Sequence, residues 1–282
     1  MEKTVLFRAS SFGNLMVGTK SAKITESQLT EIDDLQYEME NLINRAGNKV
    51  KWTPNKAETL AKLIAKRDNP PQLSETAKTE VEKIWLLIEK GFYEDLGNKY
   101  IMKGLFNEES GLELISELDG EFYIKNDERV TIGNLTGEAD IICEVDGKKI
   151  VKDIKSNYNP KTFMNADLSP IYEWQLRVYM YLYDCEEAHL EYTLTDLPGH
   201  MLESEIWKVK SKYGILDEDE PNAKRVLDQV RTNFVYSTNP AYSLEERRKQ
   251  FVIYRDKDLE AEMHEQVKLA LDYYKTLTLN KK

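Results

Sequence analysis

The run IICEVDGKKIVKDIK, Ile141 to Lys155, constrains the fold more than any other stretch. Asp146-Gly147 sits between two alternating, β-branched segments, and this dipeptide is a strong signal for a two-residue hairpin turn with positive φ at both positions. Placing Val145 opposite Lys148 sets the register for the rest. Glu144 then faces Lys149, Ile142 faces Val151 and Asp140 faces Asp153, all on one side because side chains alternate along a strand. Lys155 follows on the same side. The first two pairs are favourable. The third sets two carboxylates with Cβ atoms roughly 5 Å apart, which destabilises a sheet. A bound cation, a shifted pKa or the neighbouring lysine could offset the repulsion. The same register also places Glu138 opposite Lys155, so a plain salt bridge competes as an explanation of the lysine.

Around this hairpin the periodicity predicts helices over 10–18, 26–46, 55–67, 74–91 and 98–117. Ser10 or Ser11 is the expected cap of the first helix, and the segment Asp68 to Pro71 ends the third. Strands are expected over 121–124 and 130–132 before the hairpin. Ser169-Pro170 supplies an N-cap and first-turn proline for the helix IYEWQLRVYMYLYD. A strand over 189–194 follows, then helix over 201–212, an acidic turn over 216–222, helix over 225–233, strand over 251–254 and a final helix over 259–277. The order predicts a mixed α/β (α+β) chain with helices flanking one central sheet. It reads as a single domain: a mainly helical part over 1–97, a core over 98–195 and a completing part over 196–282.

Composition limits the function. The 282 residues carry a net charge of -11, which argues against a protein that coats nucleic acid in bulk. It leaves room for a local basic channel, for which Lys148, Lys149, Lys152, Lys155 and Lys161 are candidates, with Arg8, Lys20 and Lys103. Two cysteines, Cys143 and Cys185, cannot make a disulfide framework or a four-cysteine metal site, and suit a reducing cytoplasm. No apolar stretch is long enough for a membrane span. His189, His200 and His264 have no spacing suited to metal binding or acid–base work.

The chemistry-bearing residues fall in one order. Asp140 and Asp153 offer clustered carboxylate oxygens, which suit a hard cation such as Mg²⁺ or Mn²⁺. Lys155 is placed to orient a water molecule or stabilise charge on a phosphate. Glu108 and Glu109 lie on the preceding helix. Gln175 and Tyr179 lie four apart on the following one, where Tyr179 could equally be core. The set Gly137-Glu138-Ala139-Asp140, Asp153-Ile154-Lys155 and Gln175-x-x-x-Tyr179 resembles the PD-(D/E)XK nuclease superfamily. The last element resembles its RecB-like and phage lambda-exonuclease (YqaJ-like) branch. Gly104-Leu105-Phe106-Asn107-Glu108 fits that branch's glycine-to-glutamate helix motif, and Arg8-Ala9-Ser10-Ser11 resembles its early serine segment.

The resemblance implies a restriction-endonuclease-like core and a metal-dependent exonuclease acting on linear duplex DNA in phage-type resection for recombination or replication. A structure-specific endonuclease and a catalytically silent DNA-binding module of the same fold are the alternatives. It implies that Asp140, Asp153 and the Ile154 carbonyl hold Mg²⁺ or Mn²⁺, with Glu108 or its neighbour Glu109 as a further carboxylate. It also implies that Lys155 positions the attacking water, that Gln175 and Tyr179 orient the site or the DNA backbone, and that Arg8, Ser10 and Ser11 meet a 5′ phosphate. The partners it implies are DNA, further copies of the chain in a trimeric ring, and a single-strand annealing protein. For Arg8, Ser10 and Ser11, helix capping is the competing role.

Overall fold

The computed structural model describes residues 4–18, 24–68, 72–93 and 99–280. Lys20 and the Asn69 to Pro71 part of the third helix's end signal lie outside them. The chain divides into two compact units, residues 1–14 with 83–261, and residues 15–82 with 262–282.

In the first unit the chain opens with β1 (Phe7–Arg8) and enters α1 (Ala9–Met16). The helix starts one residue earlier than expected, so Ser10 and Ser11 lie in its first turn rather than at its cap. After α2 (Glu26–Asn41), α3 (Pro54–Asp68) and α4 (Glu75–Lys90) come α5 (Lys99–Asp119), β2 (Val130–Ile132), β3 (Leu135–Gly137), β4 (Ile141–Val145) and β5 (Lys148–Ser156). Then follow α6 (Pro160–Met164), α7 (Pro170–Tyr183), β6 (Glu187–Thr193), α8 (Gly199–Tyr213), α9 (Pro221–Thr232), β7 (Arg248–Tyr254) and α10 (Lys257–Asn280).

Two sheets form. The larger has the order β4-β5-β6-β7, with β5 and β6 parallel and the outer pairs antiparallel. The smaller has the order β1-β3-β2. Asp146 and Gly147 both take positive φ, 52° and 75°, and the hairpin register holds from Val145 opposite Lys148 to Ile141 opposite Lys152. There the ladder stops. Glu138 and Asp140 are not paired strand residues, because β3 turns into the smaller sheet instead of extending β4. The expected strand over 121–124 is an extended loop. It has no backbone ladder, although Tyr123 is buried between exposed Phe122 and Ile124.

Helix α5 covers one face of the larger sheet, where Ile115 and Tyr123 pack on Ile141 and Ile154. The approach is close at Gly111, where an added Cβ would lie 2.9 Å from Ile154 Cγ2. Helix α7 covers the other face. Its start is fixed as the sequence anticipates, by Ser169 accepting from the Tyr172 amide at 3.4 Å with Pro170 in the first turn. Helix α9 begins at Pro221, inside the expected acidic turn, because the Glu220 carboxylate caps it by accepting from the Ala223 amide at 2.8 Å. The short helix α6, capped reciprocally by Asn159 and Thr162, went unseen in the periodicity because five residues are too few to show one.

The second unit contains α2 and α3, whose Ile32, Leu60 and Leu63 form a separate core with Ile24, Leu35, Trp52 and Ile64 around them. A capping box between Thr25 and Gln28 starts α2, and Leu42 ends it at φ 56°, earlier than the apolar spacing suggested. No helix among the described residues is long and apolar enough to cross a membrane.

Candidate active site

The site forms where β4 has not yet joined β5. Asp140 stands one residue before β4, and its carboxylate Oδ2 accepts the Ile154 amide at 2.6 Å. Asp140 thus caps an edge of β5 that the ladder leaves uncovered. In an extended strand the N–H and C=O of one residue point to the same side, so the Ile154 carbonyl also faces this edge. Asp153, with a side chain 3% exposed, projects to the α7 face, and the Lys155 ammonium approaches its Oδ2 at 2.7 Å.

Helix α7 locks the arrangement. Gln175 donates from Nε2 to Asp153 Oδ1 at 3.0 Å and to the Tyr179 hydroxyl at 3.0 Å. Tyr179 in turn donates to the Glu138 carbonyl at 3.0 Å. The two motif residues therefore tie Asp153 to the turn that carries Asp140. Both are buried, so they orient the site from behind. Gly137 is required here, because an added Cβ would lie 2.8 Å from Tyr179 Cε1 and 3.0 Å from Ala9 Cβ. Asn126 supports the turn from the other side. Its amide donates to the Asp140 carbonyl at 2.8 Å and its side chain to the Ala139 carbonyl at 2.9 Å. The sequence carries no signal for Asn126.

The electrostatics follow from this geometry. Burial and the charge of Asp153 push the Asp140 carboxyl up to about 7, against the opposing pull of Lys155 and the Ile154 amide. Burial works against the Lys155 ammonium, but Asp153 and Asp140 outweigh it and hold its pKa above the ordinary value. Burial, then the charge of Asp153, raises the Tyr179 phenol.

The site fits a hard divalent cation. Its donors are all oxygens, and Asp153 Oδ2 is buried without a hydrogen bond, since the Lys155 ammonium meets it outside hydrogen-bond geometry. No cluster of three metal-ligating side chains exists among the described residues. Two carboxylates with a carbonyl and waters are the kind of set that Mg²⁺ accepts. Glu108 lies close enough to raise Asp140, but its carboxylate is ion-paired to Lys125. Glu109 is exposed and enters no such interaction, which separates the two neighbours.

Other expected residues lie elsewhere. Glu138 pairs with Arg129 at 3.0 Å rather than with Lys155, because the ladder ends before reaching it. Lys103 is fully buried and donates to the Asn157 and Thr195 carbonyls at 2.6 and 2.7 Å. Lys152 is buried on the opposite face against Asp119 at 2.6 Å. Neither can meet a phosphate. Lys149 donates to the Tyr183 carbonyl at the end of α7, and Lys148 and Lys161 are exposed. Arg8 and Ser10 are exposed at the start of α1, and its Ala9 meets Gly137, three residues before Asp140.

No protein-family model matches the chain, and no curated protein does. Among solved structures, a phage-related exonuclease from Haemophilus somnus 129PT aligns over 99% of this chain and 98% of its own, with a TM-score of 0.63 and 19% identity. An alkaline exonuclease from Laribacter hongkongensis aligns over 72% of this chain and 81% of its own, with a TM-score of 0.47 and 12% identity. The first likeness establishes a shared architecture: the chain has the same mixed α/β fold as that phage-related exonuclease.

Proposed function

We propose that the protein is a metal-dependent DNA nuclease that degrades linear duplex DNA from its ends, in phage-type resection for recombination or replication. The observation that carries this is the convergence of Asp140, Asp153 and Lys155 at the uncovered edge of β5, held by Gln175 and Tyr179. The fold shared with an exonuclease supports it.

Asp140, Asp153 and the Ile154 carbonyl would hold Mg²⁺ or Mn²⁺, with Glu108 reaching it through water once released from Lys125. When bound, the cation activates water and neutralises charge on the scissile phosphate. The chain's own groups do the rest. Gln175 fixes Asp153 Oδ1, and the Lys155 ammonium meets Oδ2 at 2.7 Å. Lys155, kept protonated by the two aspartates, has N–H donors to orient the attacking water and stabilise charge on the phosphate oxygens. Arg8 and the first turn of α1, with Ser10 and Ser11, would take a terminal phosphate, since exposed N–H groups at a helix start favour anions. A trimeric ring and a single-strand annealing partner would suit the same role.

The test is a cleavage time course on linear duplex DNA labelled at one 5′ end, beside a closed circular control. Wild type and Lys155→Ala are each run with Mg²⁺ and with EDTA. Metal-dependent release of nucleotides from the linear DNA alone, lost in the variant, is the expected result. Cutting of the circle makes the protein an endonuclease, and absence of all cleavage with metal overturns the proposal in favour of a DNA-binding module.

A further inference from the structure

The motif pair Gln175 and Tyr179 belongs to a longer stripe. Tyr172 stands three residues before Gln175, so Tyr172, Gln175 and Tyr179 share one face of α7. Gln175 and Tyr179 spend that face on Asp153 and the Glu138 carbonyl. Tyr172 spends it on Lys155, whose ammonium lies 5.1 Å from the centre of the tyrosine ring. The ring is held from two further directions. Its backbone amide is tied to the Ser169 cap, and its edge meets Tyr192 at 6.3 Å and 74°. Tyr192 is the ladder partner of Lys155 and donates its hydroxyl to the Asp167 carbonyl at 2.8 Å, which fixes the loop that leads into α7.

We propose that Tyr172 is a positioning residue that holds the Lys155 ammonium against Asp153 by offering it the face of its ring. This rests on the nuclease function proposed above. A lysine has a long flexible stem and three rotatable donors, so two fixed contacts are needed to aim the rest. Asp153 supplies one contact and the ring face, which carries negative partial charge, supplies the other. An N–H then remains for water or phosphate. Without the ring, a side chain that is 26% exposed can swing toward solvent.

The experiment compares Tyr172→Leu and Tyr172→Phe with wild type on linear duplex DNA with Mg²⁺, at temperatures where circular dichroism shows all three folded. Tyr172→Leu is expected to lower kcat roughly tenfold with KM unchanged, the size of a partly desolvated cation–ring contact. Tyr172→Phe, which keeps the ring, should restore kcat to within about twofold of wild type. Undiminished kcat in Tyr172→Leu overturns the inference. So does a Phe variant as impaired as Leu, which would transfer the role to the hydroxyl. A wild type that cleaves no DNA with metal overturns the nuclease function itself, which keeps the two failures apart.

Discussion

Strand β5 carries charge on both faces, and the two faces balance it differently. Toward α7, Asp140 and Asp153 share the ammonium of Lys155. Toward α5, Lys152 and Arg248 meet Asp119 and Glu191 two against two, at 2.5 to 2.8 Å for the Lys152–Asp119, Arg248–Asp119 and Arg248–Glu191 contacts. The consequences are opposite in sign. Burial raises Asp119 and Glu191, but Arg248 and Lys152 hydrogen-bonded to the first, and His189 beside the second with Arg248 and Gln250 hydrogen-bonded to it, outweigh burial and hold each acid at about 2. On the other face Asp140 is pushed up to about 7. Lys152 and Asp153 are adjacent in sequence, so strand alternation alone separates a closed structural network from an open one. An acid whose neighbours match its charge is structural, whereas unmatched negative charge in a site is the feature on which the proposed cation site rests.

The strongest way to break this comparison is to remove charge from one face at a time. Asp140→Asn keeps an oxygen for the Ile154 amide while removing the repulsion with Asp153. It should lower cleavage by about a thousandfold or more, the loss typical of disabling a preorganised electrostatic site, while raising the metal-free melting temperature. Glu191→Ala should do the reverse. Leaving Arg248 and Lys152 buried beside one acid costs about 3–5 kcal/mol, read by urea unfolding, with kcat of the folded fraction retained. A Glu191→Ala protein as stable as wild type, or an Asp140→Asn protein that still cleaves, would erase the distinction between the faces.

The pH dependence sharpens the contrast. Asp119 and Glu191, at about 2, lie below the value near 4 of an unfolded carboxylate. Their contribution is therefore full above about pH 4 and disappears as pH falls through about 2. Asp140, at about 7, lies above its unfolded value, so in the metal-free protein its contribution is full below about pH 4 and is lost as pH rises through about 7. Melting temperatures in EDTA should fall between about pH 4 and pH 7, and added Mn²⁺ should abolish that fall, because the metal takes the proton's place. Superimposable curves with and without Mn²⁺ would show that no cation binds there.

Where local chemistry dominates, these features were readable in the letters. The Asp146-Gly147 turn fixed the register, Ser169-Pro170 fixed the start of α7, and Asp140, Asp153, Lys155, Gln175 and Tyr179 did come together. What escaped depends on where chains meet in space. The ladder stops short of Glu138 because β3 pairs with β1 and β2, a choice between partners distant in sequence. Glu121 to Ile124 alternates like a strand, but Tyr123 is buried against α5, and no partner strand pairs with it among the described residues. Lys103 and Lys152 looked like DNA contacts because a lysine's type says nothing about its partners. Their burial follows from the Asn157 and Thr195 carbonyls and from Asp119.

The smallest effect concerns Lys125, which the sequence did not single out. It pairs with Glu108, and the Asp140 and Glu138 charges add to that pairing in raising its ammonium pKa. Both side chains are substantially exposed, 50% and 37%, so the ion pair is cheap to open. Yet Lys125 competes with any cation that would draw on Glu108. Lys125→Met should therefore tighten Mn²⁺ binding by about fivefold in low-salt calorimetry, with the gain shrinking as added salt screens the pair. A Glu108→Gln background should remove the gain, because the carboxylate contested by lysine and metal is then gone. If Lys125→Met binds Mn²⁺ no more tightly than wild type, Glu108 lies outside the reach of the metal. The proposed cation site would then rest on Asp140, Asp153 and the Ile154 carbonyl alone, at the edge of β5 that the ladder leaves uncovered.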